Sequence, residues 1–279
     1  HLTMSDVEVQ GAGAAALLEN GTADVSFDAI FATGGTGTAL SVRDVNGVVE
    51  VKQQFICTSW TGTCIDIRSS PNLNAAFRDN ILLDVVGDGL IVEDVGMLSA
   101  EAANNQIFCD EGTALRVERV NHVQTRWDAL KILGPTLSSS PRVALTDVQG
   151  TTEIGTLDCT ISGEATCVAL DNADTVRVLD PNSRITNDDG QTLVVKDSNI
   201  DMTFDRIESR LSVTWGVLIE NSAGSLYVES TTVAGPRVGG IGVLNSDIDA
   251  NLGEVTVIDV AGPVQGAGVL LHNNPNARF

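Results

Sequence analysis

A small polar residue, usually Asp or Asn, recurs eleven times along this chain at intervals of 24 to 28 residues. Each member follows two aliphatic residues, which stand four and two positions before it. We call this column the polar ladder, and its members are Asn20, Asp44, Ser69, Asp94, Arg119, Asp147, Asn172, Asp197, Asn221, Asn245 and Asn273. A fixed period of this length is typical of a solenoid, in which each repeat packs only on its neighbours.

The alternation of aliphatic and other residues before each ladder member predicts a short strand with one buried face. Small residues five and seven positions before it predict a tight turn into that strand. Long apolar stripes of helical period and leucine-rich spacing are both missing from the sequence. We therefore expect an all-β, single-domain right-handed parallel β-helix over residues 1–279, with about 11 coils of about 25 residues.

The polar ladder has a physical explanation in such a fold. Stacked amide side chains can hydrogen-bond along the stack, and Asn and Asp suit turns and the left-handed backbone region. No two Asp members are consecutive in the ladder, which avoids repulsion between carboxylates about 4.8 Å apart. Arg119 stands between Asp94 and Asp147, so we expect it to pair with one or both of them.

The stretches GTALSVRDVNG, GTALRVERVNH and GVLIENSAG resemble the right-handed parallel β-helix (pectin-lyase-like) superfamily. In character the chain is most similar to the bacterial surface or autotransporter-type members. The superfamily also includes polysaccharide-degrading enzymes and phage tailspikes, so the resemblance implies the fold more strongly than any activity. The chain begins inside a repeat, and we expect it to be a fragment or repeat unit of a longer or polymerising protein.

The formal net charge of −21 opposes binding to nucleic acid or to an anionic membrane. No apolar segment approaches the length of a membrane-spanning helix, so we expect no membrane insertion. The acidic surface fits a secreted or cell-surface location, and it fits equally a chain that is acidic only for solubility.

Four of the five cysteines form two closely spaced pairs. Cys57 and Cys64 enclose TSWTGT, and Cys159 and Cys167 enclose TISGEAT. Because both pairs flank a predicted turn, we expect two local disulfides and an oxidising compartment. The alternative is that these cysteines are small apolar core residues. Cys109 has no cysteine at the partner position, and we expect it to be a buried free thiol.

An outward column three positions before the ladder is apolar in the later coils. Its apolar members are Ala144, Ala169, Val194, Leu218 and Leu270, with Gly242 between the last two. We call this column the apolar stripe, and we expect it to be covered by another segment or by a neighbouring subunit. Scattered small apolar residues on a surface would need no such cover. Two longer turns, at residues 134–142 and 261–266, are further candidates for recognition.

The best candidates for catalysis are Glu93 and Glu118, which we expect to stack on one outward face with Arg68 and Arg116 nearby. Mixed charge on a solvated sheet face explains these residues equally well. The paired Asp motifs of polygalacturonase-like enzymes and a pectate-lyase-like calcium site are not recognisable. The three histidines are too dispersed for a metal cluster, and we expect no cofactor.

These observations favour a structural role over an enzymatic one. We expect a rigid rod used in a filament, a surface layer or an adhesin stalk, which acts through lateral or end-to-end contacts. Its partners would be further copies of the chain or other surface proteins. The alternative is a polysaccharide-binding or polysaccharide-cleaving protein, with a glycan as its ligand.

Overall fold

The computed structural model of this protein describes residues 2–11, 14, 16–102, 104–135, 139–260 and 267–276. Regular structure in these residues consists of strands. In chain order they are β1 (Leu2–Gln10), β2 (Ala16–Thr33), β3 (Thr38–Trp60), β4 (Thr63–Phe77), β5 (Ile81–Val85), β6 (Leu90–Ala100), β7 (Gln106–Cys109), β8 (Leu115–Pro135), β9 (Val143–Ser162), β10 (Val168–Val178), β11 (Arg184–Asn187), β12 (Leu193–Lys196), β13 (Asn199–Arg210), β14 (Trp215–Glu220), β15 (Ala223–Ala234), β16 (Gly239–Leu244), β17 (Asp247–Ile258) and β18 (Ala267–His272).

The strands pair in parallel with segments one coil earlier and one coil later. For example, Leu40 pairs with Ile65, and Ile65 pairs with Leu90. Residues about two dozen positions apart in the sequence are therefore nearest neighbours in the structure. This confirms the predicted all-β parallel solenoid of about 11 turns, with a period of about 24 residues.

The two aliphatic columns before the polar ladder fill the interior. Leu40, Ile65 and Leu90 are fully buried, and the same positions stay buried through the middle coils. Burial of each such side chain contributes about 1.5–3 kcal/mol of transfer free energy. In the last described coil the equivalent Val269 and Leu271 are each 37% exposed, because no later described coil packs on them.

The polar ladder forms a corner at which the chain leaves one side of the coil and enters the next. All eleven members have a positive φ, between 47° and 54°. Asn and Asp adopt this left-handed conformation more readily than other residues with a side chain, which explains their prevalence in the column. The ladder side chains point outward, whereas the residue after each member from Asp44 to Asn245 is buried in the interior.

Serine at this inward position hydrogen-bonds neighbouring coils to each other. The amide of Ser198 donates to the hydroxyl of Ser222 at 3.2 Å, and the amide of Ser222 donates to the hydroxyl of Ser246 at 3.1 Å. The Ser222 hydroxyl in turn donates to the carbonyl of Glu220 at 2.8 Å. The serines therefore satisfy backbone groups that the turn would otherwise leave buried and unpaired.

Candidate functional site

Charged side chains on the outer face of coils two to five lie in one connected cluster. We call it the arginine–carboxylate network, and its members are Arg43, Asp66, Arg68, Glu93, Asp94, Arg116, Glu118 and Arg119. The strand register places these residues on successive rungs, and each arginine contacts a carboxylate of its own rung or of an adjacent one. The network contains all four candidate catalytic residues of the sequence analysis.

Asp66 anchors one end of the network. Its side chain is only 4% exposed, and it accepts hydrogen bonds from Arg43 at 2.6 Å and from Arg68 at 2.5 Å. A buried carboxylate is costly unless it is paired and hydrogen-bonded. The two arginines therefore stabilise Asp66 where it lies, and Arg68 is held by this contact.

Glu93 and Glu118 stand opposite each other on adjacent strands, as predicted. Arg68 lies 3.1 Å from Glu93, and Arg119 lies 3.4 Å from Glu93 and 3.5 Å from Glu118. Arg116 approaches Glu118 at 3.7 Å. Burial raises the pKa of Glu118, and the neighbouring Glu93 carboxylate raises it further. A carboxyl with a raised pKa beside a second carboxyl is an arrangement that general acid catalysis uses.

The polar ladder makes contacts between coils, as its chemistry predicts. The Asn172 amide donates to the Asp147 carboxylate at 2.8 Å, and the Asn273 amide donates to Asn245 at 2.9 Å. Arg119 pairs with Asp94 at 2.6 Å, so one of its two expected partners is confirmed. Asp147 has the Asn172 amide as its partner instead.

A groove of about 820 Å³ follows the ladder corner across coils five to nine. We call it the corner groove. One row of its lining consists of the ladder members Arg119, Asp147, Asn172, Asp197 and Asn221. The second row lies two positions later and consists of Asn121, Gln149, Asp174, Asn199 and Ala223. The repeat period predicts that these residues stack, but it does not show that the corner they line is concave.

A bulge shapes the middle of the corner groove. The β9–β10 register shifts between Ala173 and Thr175, so that β9 carries one extra residue there. Gly150 lies in the bulge with φ of 109°, and its amide donates to the Asp174 carboxylate at 3.1 Å. A Cβ at Gly150 would lie 2.1 Å from the Val123 carbonyl oxygen, so glycine is required at this place.

Comparison with known proteins finds no match to this chain among protein-family models, curated proteins or solved structures.

The Cys57–Cys64 disulfide is formed, as the spacing predicted, with the two Cα atoms 6.1 Å apart. The predicted second disulfide is not formed, because Cys159 and Cys167 are both free and buried. The strand register explains this difference. Strand pairing from coil to coil aligns Cys57 with Leu157, which lies two positions before Cys159. The two cysteine pairs therefore span the turn from different starting positions.

Cys109 is a buried free thiol, as predicted, and burial raises its pKa to about 12. The buried Arg142 lies near this region. Its guanidinium donates to the carbonyls of Asp110 at 2.7 Å and Leu133 at 3.1 Å, and also to that of Glu111. Arg142 therefore holds backbone segments together and, although it lies in the turn at residues 134–142, its buried side chain is not available for recognition.

The apolar stripe is continuous in the structure. Its members pair in register from Ala144 through Ala169, Val194, Leu218 and Gly242 to Leu270. The Trp215 ring lies against Gly242, where a Cβ would meet it at 3.1 Å. Ala144 is buried, Val194 and Leu218 are half-buried, and Leu270 is 38% exposed. The stripe is thus covered in part from within the chain.

The two longer turns contribute little to a candidate recognition site. Residues 136–138 of the first turn and all of 261–266 lie outside the described residues. In the part of the chain that the structure describes, no group of three or more His, Cys, Asp or Glu side chains is arranged to hold a metal ion. The described residues also contain no helix that is long and apolar enough to cross a membrane.

Proposed function

We propose that this protein is a structural β-helix rod of a secreted or cell-surface protein, acting through its shape and through lateral or end-to-end contacts. The observation that carries the proposal is the set of side-chain contacts between coils along the outer face of coils two to five. Arg119, Asp94 and Glu93 are examples, because each forms an ion pair with a residue of the adjacent coil. Such contacts favour a stiff rod over a reactive surface.

A location outside the cytosol agrees with the chemistry of the chain. Disulfides persist in oxidising compartments, and the Cys57–Cys64 bond closes a turn of the solenoid. The net charge of −21 keeps a long rod soluble and opposes nonspecific contact with anionic surfaces. We extend the proposal to the right-handed pectin-lyase-like superfamily, and within it to surface or autotransporter-type proteins, on the repeated GTALSVRDVNG and GTALRVERVNH stretches.

Lateral contact would use the apolar stripe, because apolar side chains in its later coils are partly exposed to solvent. Val194 and Leu218 are only half-buried on an outward face, and further copies of the chain or another surface protein would cover them. End-to-end contact would extend the parallel hydrogen bonding that already links every described coil to the next.

The test compares assembly of the unaltered protein with that of Val194→Lys and Leu218→Lys variants. Electron microscopy and light scattering should show polymers or lateral assemblies that the two variants lose. Leu179→Lys is the matched control, because Leu179 is an exposed aliphatic residue outside the stripe. Monodisperse monomers of the unaltered protein at every concentration would contradict the rod proposal.

A second candidate is cleavage of a polysaccharide at Glu93 and Glu118. The position of Glu118 opposite Glu93 on adjacent strands favours it, because two neighbouring carboxyls, one of them with a raised pKa, are the groups that glycoside hydrolysis uses. Depolymerisation of acidic and neutral polysaccharides would be measured with Glu93→Gln and Glu118→Gln as inactive controls. Inactivity of the unaltered protein on every polysaccharide tried would rule this candidate out.

A further inference from the structure

We propose that a pocket beside Phe108 binds a small organic cation, namely an ammonium group carried by an aryl or alkyl body. The pocket lies across β3, β5, β7 and β8 and has a volume of about 330 Å³. We call it the Phe108 pocket, and its lining consists of the apolar Leu82, Phe108 and Leu133, the charged Asp84, Asp110 and Lys131, and Thr58. The inference is independent of the rod proposal and of the Glu93 and Glu118 pair, which does not line this pocket.

The stacking of four coils brings the lining of the Phe108 pocket together. Asp84 pairs with Thr58 on one side and with Phe108 on the other. Phe108 pairs in turn with Lys131, so this column spans three coil intervals, which is about 14 Å at the spacing of paired strands. Residues two positions apart on a strand point to the same face, and Leu82 therefore lies beside Asp84. Apolar and charged groups are thus adjacent on one outer surface.

The backbone on both sides of the pocket is held in place from within the chain. The buried Arg142 donates to the carbonyl of Asp110 at 2.7 Å and to that of Leu133 at 3.1 Å. On the opposite side, Thr58 directly follows Cys57 of the disulfide. A site whose walls are already ordered loses less conformational entropy when a ligand binds. These two contacts therefore prepare the pocket for a ligand.

The apolar lining selects a ligand with an apolar body. Leu133 is 37% exposed, and Leu82 and Phe108 are half-buried, so all three keep apolar surface in contact with water. A ligand that covers this surface gains free energy in proportion to the area removed from water. The volume of the pocket lies near the lower end of the range for small-molecule sites. It therefore suits one aromatic ring or a short alkyl chain.

The charged lining selects a cation. Asp84 and Asp110 are exposed, and neither carboxylate has a hydrogen-bond or ion-pair partner among the described residues. Asp84 is the strand partner of Phe108, and Asp110 follows Phe108 by two positions on the same side. An ammonium group bound over the Phe108 ring thus meets two carboxylates and the negative face of the ring. The net charge of −21 adds a general attraction for cations.

Other ligands fit the Phe108 pocket less well. An anion gains from Lys131 but is repelled by both Asp84 and Asp110, so carboxylates outnumber the ammonium group of the lining two to one. A neutral molecule gains only from the apolar side chains. An extended peptide cannot add as a further strand, because β7 is already paired with β5 and with β8. A small amphipathic cation uses the apolar and the acidic groups together.

The test titrates the full chain with three probes of similar size that differ in charge. Phenethylammonium is the cation, phenethyl alcohol is its neutral counterpart, and hydrocinnamate is the anion. Nuclear magnetic resonance should show saturable shifts of the backbone amide signals of Asp84, Phe108 and Asp110 with phenethylammonium. We expect an apparent Kd in the millimolar range, as is usual for a ligand of this size, and weaker binding of the alcohol and of hydrocinnamate.

Variants separate the two kinds of contact. The double variant Asp84→Asn and Asp110→Asn should raise the apparent Kd of phenethylammonium about tenfold and leave that of phenethyl alcohol unchanged. Both positions are exposed, so the melting temperature should stay the same. Leu133→Thr introduces the residue type of its strand partner Thr160 and should weaken both probes. Asp249→Asn is the matched control, because Asp249 is exposed on β17 outside the pocket.

Several results would overturn the proposal. One is the lack of saturable shifts at the pocket with phenethylammonium, and another is binding that the double variant leaves unchanged. Shifts spread evenly over the acidic surface would show attraction to the net charge alone. Equal affinity for all three probes would show that charge is not recognised. Tighter binding of hydrocinnamate, lost in Lys131→Gln, would identify a site for anions instead.

Discussion

The Arg119 guanidinium donates to both carboxylate oxygens of Asp94, at 2.6 Å and 3.1 Å, across adjacent rungs of the polar ladder. This contact lowers the pKa of Asp94 below its ordinary value and raises that of Arg119. Both side chains are half-exposed, so the pair is worth much less than its short distances suggest.

We expect Asp94→Asn to lower the free energy of unfolding at pH 7 by about 0.5 kcal/mol, because it removes an exposed ion pair and keeps the left-handed preference. A carboxylate with a lowered pKa stabilises the fold above its unfolded pKa and loses this effect as the pH falls through the folded value. The difference should therefore vanish in acid and shrink in high salt.

Urea unfolding of Asp94→Asn at several pH values checks this expectation. Asp249→Asn is the control, because Asp249 is exposed on β17 and its side chain has no partner among the described residues. An effect of Asp94→Asn that persists unchanged at low pH would show that the ion pair is not its cause.

Glu118→Gln should change the free energy of unfolding in the opposite direction to Asp94→Asn. Burial and the nearby Glu93 raise the pKa of Glu118, so ionisation of Glu118 opposes folding. The stability that the protonated Glu118 carboxyl contributes is fully present below its unfolded pKa and is lost as the pH rises through its folded pKa. We therefore expect Glu118→Gln to raise the free energy of unfolding at pH 7 by about 0.5 kcal/mol, with no gain in acid.

Thermal and urea unfolding of Glu118→Gln would be compared with Glu220→Gln. Glu220 occupies the same outward column and makes no ion pair among the described residues. A Glu118→Gln protein that is less stable than the unaltered one at pH 7 would show that the arginines outweigh Glu93.

Much of the fold could be predicted from one column of residues. The period of the polar ladder determines which residues become neighbours, and alternation before Asp94 or Asn172 determines which side is buried. The Arg119 contact could also be predicted, because a cation between two carboxylates in a stack has an evident electrostatic reason. These features depend only on the repeat and on local chemistry.

Other features depend on the path of the chain between ladder members, which periodicity does not specify. Cys159 and Cys167 appeared equivalent to the first cysteine pair, yet a shift of two positions in register separates Cys57 from Cys159. The corner groove was missed because the repeat period does not specify the angle at the corner, and that angle determines whether Gln149 and Asp174 line a concave surface. Arg142 lies at the end of a turn that was a candidate for recognition, yet its side chain is buried and donates to backbone carbonyls.

Ser222→Ala should destabilise the protein by about 1–3 kcal/mol. The substitution removes the hydroxyl that accepts from the buried amide of Ser198 at 3.2 Å and leaves that donor unsatisfied. Chemical denaturation would measure the loss, and Ser230→Ala is the control because Ser230 is half-exposed. Equal stability of the two variants would show that water replaces the lost hydroxyl.

Thiol counting tests the cysteine arrangement directly. The structure has one disulfide, between Cys57 and Cys64, and three free thiols. We expect the folded protein to alkylate very slowly, because all three thiols are buried and the pKa of Cys109 is raised to about 12. In concentrated guanidinium chloride without reductant, alkylation and mass spectrometry should find three labels. A single label, on Cys109, would instead show that Cys159 and Cys167 are joined in the isolated protein, as their spacing alone suggested.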